Sequence, residues 1–171
     1  MRRSTKVRAV TATVVFGVCA VAGRLFMTRY PTAVWPESPV VAASRGSLLP
    51  NPRGYKWEAN QRTLLLALHV GCPYCDSSMG FYERLSALER SRAIRAHVLA
   101  AFPEPAAEIR RTLAGRLSGV QTLERVDLRA LRVVGTPTVM LVDSQGQVLS
   151  VWIGQLSSSE QAALAAAAAM Q

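Results

Sequence analysis

Cys72 and Cys75 are the two residues of this 171-residue sequence that are best placed to carry out chemistry. They stand in the segment Gly71-Cys72-Pro73-Tyr74-Cys75, where an apolar run meets a pattern typical of a helix. A helix N-terminus presents unpaired N–H groups and a partial positive charge, and both favour a thiolate over a thiol. Because a thiolate is the species that attacks a disulfide, we predict that Cys72 is the nucleophile and that Cys75 resolves the mixed disulfide.

Two metal-binding uses of the cysteine pair compete with this prediction. A zinc site needs two further ligands, but the third cysteine, Cys19, lies in an apolar N-terminal segment, and neither His69 nor His97 clusters with the pair. Met79 lies close to the pair, and thiolate and thioether are the soft ligands that suit Cu(I). A periplasmic Cu(I) carrier therefore stays open as an alternative, although a lone helix methionine is more often a core residue. We predict no resident metal.

A second motif, Gly135-Thr136-Pro137-Thr138, opens an apolar run that is typical of a central strand. Proline lacks the N–H that a central strand needs, so it is out of place there unless it lies at the entrance of the strand. A cis Thr136–Pro137 peptide bond resolves the conflict. Such a turn leaves the backbone of Thr136 free to pair with an extended substrate segment beside the cysteines.

Hydrophobic periodicity predicts an α/β fold for the rest of the chain. Continuous apolar runs and alternating runs indicate strands over 63–70, 94–102, 120–126, 138–142 and 147–153. Helices are predicted over 73–90, after Pro105 and after the capping box that starts at Ser157. This order favours a central mixed sheet with helices on both faces. If the first strand alternates as far as residue 70, His69 is buried.

For the N-terminal third of the chain, the sequence predicts an export segment followed by a spacer. An uncharged stretch follows Arg2, Arg3, Lys6 and Arg8, which is typical of a signal peptide or of an uncleaved membrane anchor. We favour the anchor, with the basic end in the cytoplasm and the rest exported. The resulting division is a basic end over 1–8, an anchor or signal segment over 9–27, a proline-rich linker over 28–56 and a globular domain over 57–171.

The net charge of +9 does not indicate a nucleic-acid partner. Six basic residues and no acidic residue lie within 1–29, whereas the remainder holds 14 basic and 11 acidic residues. A mildly basic globular domain needs no polyanion as a partner.

Taken together, the Cys-Pro-Tyr-Cys motif, the later Gly-Thr-Pro-Thr motif and the final strand–turn–strand–helix order resemble the thioredoxin superfamily. The anchor and linker make the chain most similar to its exported, membrane-anchored TlpA/ResA-type branch. The resemblance implies a three-layer thioredoxin-like fold, a nucleophilic Cys72, a resolving Cys75 and a cis Pro137. One departure is Leu66, which stands where thioredoxin has a buried carboxylate.

The predicted function is that of a thiol–disulfide oxidoreductase acting on exported proteins. Its only cofactor is the redox-active disulfide of Cys72 and Cys75, and its substrate-binding residues are Pro73, Tyr74, Thr136 and Pro137. We expect protein thiol or disulfide substrates and a redox partner protein, with no nucleic acid. Reduction is the preferred direction because the branch that the chain resembles commonly reduces exported cysteines; oxidation stays open as the alternative.

Overall fold

The computed structural model describes residues 41–59, 62–113 and 115–170 of the chain. The predicted basic end at 1–8, the anchor at 9–27 and the first part of the linker lie outside these residues. Within the described part, no helix is both long and apolar enough to cross a membrane.

A five-stranded mixed sheet forms the centre of the described structure. Its strands are β1 (Arg62–Ala67), β2 (His97–Ala101), β3 (Gln121–Leu123), β4 (Thr138–Asp143) and β5 (Val148–Ile153). They are arranged in the order β3-β2-β1-β4-β5. The first three are parallel, whereas β4 is antiparallel to β1 and β5 is antiparallel to β4. The central position of β1 explains its continuous apolar sequence, because both of its faces are buried.

Within the described residues, the sheet is accompanied by three α-helices, namely α1 (Pro73–Arg90), α2 (Ala106–Leu113) and α3 (Ser158–Ala169). The bounds of α1 confirm the prediction, and both hydrogen bonds of the predicted capping box are present at the start of α3. Strand β1 is shorter than predicted, since it ends at Ala67 and not at Val70.

All three α-helices pack on one face of the sheet. Met79 and Leu85 of α1, Ile109 of α2 and Leu164 of α3 belong to the same apolar cluster. The two crossovers β1-α1-β2 and β2-α2-β3 step in the same direction, and right-handed crossovers in one direction place their helices on one face. The prediction of α-helices on both faces is therefore wrong for the described residues.

Irregular segments and one 3-10 turn cover the opposite face. This second cluster contains Ala43, Leu49, Tyr55 and Trp57 from the chain before β1, together with residues from the return between β3 and β4. Leu48 also pairs with Gln147. Residues 43–56 are thus part of the folded domain, and the predicted linker over 28–56 extends too far toward the C-terminus. Proline content suggested a spacer, but the apolar residues between the prolines supply a cover for the sheet.

Gly146 lies where this N-terminal cover meets the β4–β5 hairpin. It has a φ of +82°, and a Cβ atom there would lie 2.8 Å from Cδ1 of Trp57 and 2.9 Å from the carbonyl oxygen of Leu49. Gly54 has a similar φ of +77°, but a Cβ there would meet nothing within 4 Å. The two glycines therefore share the conformational requirement, and only Gly146 adds a steric one.

We expect Gly146→Ala to destabilise the fold by about 3 kcal/mol, because strain at positive φ and overpacking against Trp57 add together. Gly54→Ala is the matched control and should cost about 1 kcal/mol, for the strain alone. Equilibrium urea unfolding followed by tryptophan fluorescence measures both. Equal losses in the two variants would contradict the packing of the N-terminal cover described above.

Candidate active site

The cysteine pair lies at a sharp corner between β1 and α1. After β1 ends, the N–H of Cys72 donates to the carbonyl oxygen of His69 at 3.3 Å, which closes a tight turn. Gly71 within this turn has a φ of +76°, in the left-handed region that favours glycine. The chain can therefore reverse direction and start a helix within a few residues of a buried strand.

Cys72 is the N-cap residue of α1. Its backbone is extended, with φ −80° and ψ 113°, and its Sγ accepts a hydrogen bond from the N–H of Cys75 at 3.2 Å. Pro73 occupies the first turn, where its missing N–H is not needed. The sulfur thus takes the position that a serine or aspartate oxygen usually fills at a helix start. A negative charge on this sulfur faces the positive end of the helix.

The two thiols differ in exposure. Cys72 is half-buried, whereas Cys75 is only 1% exposed and belongs to the apolar cluster on the helix side. Both are free thiols in the structure. The pair therefore consists of one sulfur that solvent and a partner can reach and one that they cannot.

The environment shifts the two pKa values in opposite directions. Burial raises the pKa of the Cys72 thiol, but hydrogen bonds from the side chains of Cys75 and Thr136 and from the N–H groups of Cys75 and Tyr74 outweigh burial and lower it. Burial raises the pKa of Cys75 to about 12, and the hydrogen bond and negative charge of Cys72 act in the same direction. Cys72 is the member of the pair that ionises first.

The predicted cis peptide bond between Thr136 and Pro137 is present. It places the carbonyl oxygen of Thr136 3.4 Å from Sγ of Cys72. The hydroxyl of Thr138 donates to the carbonyl oxygen of Gly135 at 2.6 Å, and the N–H of Gly154 donates to the carbonyl oxygen of Pro137 at 2.7 Å. The loop that faces Cys72 is thus held from both sides, and the two sequence motifs meet.

Comparison with known proteins places this arrangement in a family. A family model described as a thioredoxin-like domain matches residues 57–169. This chain belongs to the thioredoxin-like family. No curated protein sequence matches it. The predicted resemblance to the thioredoxin superfamily is confirmed at the level of the family and the fold.

Solved structures with a similar fold come from several bacteria. A thiol:disulfide interchange protein from Bacteroides sp. is 12% identical with a TM-score of 0.58, and the match covers 75% of this chain and 91% of that protein. The thioredoxin domain of a thiol-disulfide oxidoreductase from Bacteroides vulgatus is 12% identical with a TM-score of 0.57, over 75% and 100% of the two chains. StoA from Bacillus subtilis is 14% identical with a TM-score of 0.50, over 71% and 96%. At these identities the likeness concerns the fold.

The predicted substrate-facing residues of this thioredoxin-like domain lie around Cys72. Tyr74 is 61% exposed, and two further large apolar residues, Val134 and Ile153, are also exposed. Val134 shortly precedes the loop with the cis proline, and Ile153 pairs with Thr138 in the sheet. Sequence patterns did not single out Val134 or Ile153. The sequence features that could have indicated them are an apolar residue at the end of an edge strand, which is Ile153, and an apolar residue just before the cis-proline motif, which is Val134.

Of two other residues near the cysteines, His69 differs from its expectation and Met79 agrees with the simpler one. His69 is exposed, with 55% of its side chain accessible, because β1 ends before it and strand alternation no longer applies. Met79 is 1% exposed and packs in the core, as the simpler interpretation of a lone helix methionine required. Within the described residues, no group of three or more histidine, cysteine or acidic side chains could hold a metal ion.

Glu104 is a residue of the site that sequence reasoning missed. It follows β2 at the edge of the sheet where β1 ends, and its carboxylate contacts both His69 and Val70. The sequence feature that could have indicated Glu104 is an acidic residue between two prolines, shortly after a buried strand.

We expect the two thiols of the reduced protein to differ in alkylation rate by at least about a thousandfold at pH 7. The thiolate fraction of Cys75, with its pKa of about 12, is negligible there, whereas Cys72 ionises more readily than an ordinary cysteine. Iodoacetamide labelling from pH 5 to 10, resolved by peptide mass spectrometry, measures both rates. Cys72 should reach its plateau at a lower pH than a free cysteine, and Cys75 should not reach one.

A matched pair of variants tests the cause of this difference. Cys75→Ser keeps a hydroxyl that can donate to Sγ of Cys72, whereas Cys75→Ala removes the donor and keeps the N–H. Labelling of Cys72 should therefore be slower in Cys75→Ala than in Cys75→Ser. Comparable labelling of both cysteines in the wild type would contradict the assigned roles.

Proposed function

We propose that this chain exchanges disulfides with other proteins through Cys72 and Cys75. The asymmetry of the pair carries the proposal: Cys72 is reachable and its pKa is lowered, whereas Cys75 is buried and its pKa is raised. A dithiol exchanger needs one thiolate that attacks the substrate and one thiol that stays protonated until the mixed disulfide has formed. A purely structural pair has no need for this difference.

In the reducing direction, the Cys72 thiolate attacks one sulfur of a substrate disulfide. A bond forms between Sγ of Cys72 and that sulfur, the substrate S–S bond breaks, and the other substrate sulfur leaves as a thiolate that takes up a proton. The N–H of Cys75, 3.2 Å from Sγ of Cys72, stabilises the attacking charge before this step.

In the second step, Cys75 attacks Sγ of Cys72 and releases the remaining substrate sulfur. The thiol proton of Cys75 is lost and one proton is taken up by the leaving substrate thiolate. Two electrons have then passed from the dithiol to the substrate, and Cys72 and Cys75 form a disulfide. A dithiol donor protein must reduce this disulfide before the next cycle, and in the oxidising direction all steps run in reverse.

The surroundings of Cys72 suit an extended protein segment as the substrate. Thr136 and Pro137 present backbone groups beside the sulfur, and Tyr74 with Pro73 forms the exposed start of the helix. The exposed side chains of Val134 and Ile153 offer apolar contacts to residues that flank a substrate cysteine.

We further propose that the substrates are exported proteins, that the domain is tethered to the outer side of a bacterial cytoplasmic membrane, and that it acts as a reductase. The support is the basic, then uncharged, layout of residues 1–27 and the resemblance to the anchored TlpA/ResA-type branch. Cleavage of the segment and secretion of the domain is the alternative location.

Cys75→Ser should accumulate mixed disulfides with protein partners, because the first step proceeds and the second cannot. Cys72→Ser should form none, and its exchange activity should fall by several orders of magnitude. Non-reducing gels and mass spectrometry of cells that express the full chain detect the complexes. The trapped species should sediment with membranes, and the partners should be exported proteins.

Cys19→Ser is the matched control for trapping by an unrelated thiol, and Cys75→Ser should trap the same partners with or without it. If Cys75→Ser traps no partner in any fraction, the exchange mechanism does not operate. Partners drawn only from the cytoplasm would instead contradict the proposed location and leave the chemistry intact.

The reduction potential of the Cys72–Cys75 couple tests the direction. A reductase should lie near the value of thioredoxin, about −270 mV, and an oxidase near that of DsbA, about −120 mV. We expect the former. Equilibration with defined ratios of reduced and oxidised glutathione, read by alkylation and mass, gives the value. A potential near the DsbA value would assign the oxidising direction.

A further inference from the structure

Glu104 is a buried carboxylate beside the corner that carries Cys72. It is only 9% exposed and follows β2, next to the end of β1. The N–H of Leu68 donates to the carbonyl oxygen of Ala101, so the ends of these two strands are joined there. The Glu104 side chain lies at this junction.

One oxygen of this carboxylate binds two consecutive residues of the corner. Oε1 of Glu104 accepts the N–H of Val70 at 3.1 Å and lies 3.0 Å from Nδ1 of His69. Nδ1 of His69 is also 2.7 Å from the carbonyl oxygen of Val70. Since Nδ1 faces two acceptors, it must carry a proton and act as the donor. The carboxylate therefore fixes both the backbone and a side chain just before Gly71.

The other oxygen of Glu104 has no such role in the described part of the chain. Oε2 is buried and has no hydrogen-bond partner there. Burying an unpartnered carboxylate oxygen costs free energy, so stability alone does not account for an acidic residue at this position. Rules of stable folding are most often broken at functional sites.

The corner that Glu104 holds connects directly to both sulfurs. The carbonyl oxygen of His69 accepts the N–H of Cys72, and the backbone of His69 also hydrogen-bonds to Cys75. A shift of residues 69–71 would therefore move Cys72 away from the N–H of Cys75 and remove a contact from Cys75.

We propose that Glu104 is a positioning residue of the dithiol site, whose acceptor oxygen holds residues 69–71 so that Sγ of Cys72 stays at the head of α1. The role belongs to the site of the proposed function and rests on it, but it concerns the reactivity of Cys72 itself. The position of the acceptor oxygen, set by the length of the side chain, determines the reactivity of Cys72. The charge of the carboxylate does not.

Two conservative variants separate reach from charge. Glu104→Asp keeps the charge but withdraws the oxygen by one methylene, whereas Glu104→Gln keeps an acceptor oxygen at the same reach and removes the charge. Both retain a polar group of nearly native size. In the reduced full chain at pH 7, iodoacetamide should label Cys72 about fivefold more slowly in Glu104→Asp, because a hydrogen bond to a charged sulfur is weakened. Glu104→Gln should stay within about twofold of the wild type.

A second readout is the equilibrium with glutathione. A less stabilised Cys72 thiolate disfavours the reduced form, so Glu104→Asp should hold a larger fraction of disulfide than the wild type at the same glutathione ratio. Glu104→Gln should again follow the wild type. A residue that only contributes to folding would move neither the labelling rate nor this ratio.

Glu124 supplies the matched control. Its carboxylate also accepts a backbone N–H, that of Ala106, which is the first residue of α2. Glu124→Asp should leave the labelling rate of Cys72 unchanged. Labelling of Glu104→Asp at the wild-type rate, or equal slowing in Glu104→Asp and Glu104→Gln, would overturn the proposal. Since the readout needs no substrate, it stands apart from the trapping experiment, whose failure would overturn the proposed function.

Discussion

The hydrogen bond from the N–H of Cys75 to Sγ of Cys72 joins the architecture of this domain to its chemistry. It is at once the cap of α1 and the first stabilising contact of an attacking thiolate. It exists only because a buried strand ends four residues before Gly71, which turns the chain into the helix. The sheet must place β1 centrally, the corner must be tight, and the cis-proline loop must close over the sulfur. Each of these features of the fold helps to hold Sγ of Cys72 in its position.

The second sulfur depends on the first in a way that orders the two steps of exchange. Burial is the main reason that the pKa of Cys75 is about 12, but the hydrogen bond and the charge of Cys72 add to it. Once Cys72 is bound in a mixed disulfide, its negative charge is gone and that part of the increase disappears. Cys75 therefore becomes easier to ionise only after a substrate has been captured. The contact that activates Cys72 thus also helps to keep Cys75 in its thiol form until a mixed disulfide has formed.

Much of the fold and the core of the site were predictable from sequence, because they depend on local signals. The apolar run before Gly71, the bounds of the helix from Pro73 to Arg90, the cis bond at Pro137 and the capping box at Ser157 all follow from short-range chemistry. Three features did not follow. The faces chosen by the helices depend on the order of strands, the role of residues 43–56 depends on a distant hairpin, and the exposure of His69 depends on where β1 ends.

The positions of Leu66 and Glu104 explain how the domain combines a buried carboxylate with a neutral Cys75. Leu66 is fully buried in the cluster that also contains Cys75, so the surroundings of the inner sulfur from β1 are apolar and favour its thiol form. A carboxylate at that position would add a negative charge beside a sulfur that must itself ionise during the second step. Glu104 enters instead from the segment that follows the neighbouring strand β2, and its Oε1 is directed to the N–H of Val70 and to His69. Its charge is thereby engaged by the corner, and the acidic group acts on the geometry of the pair.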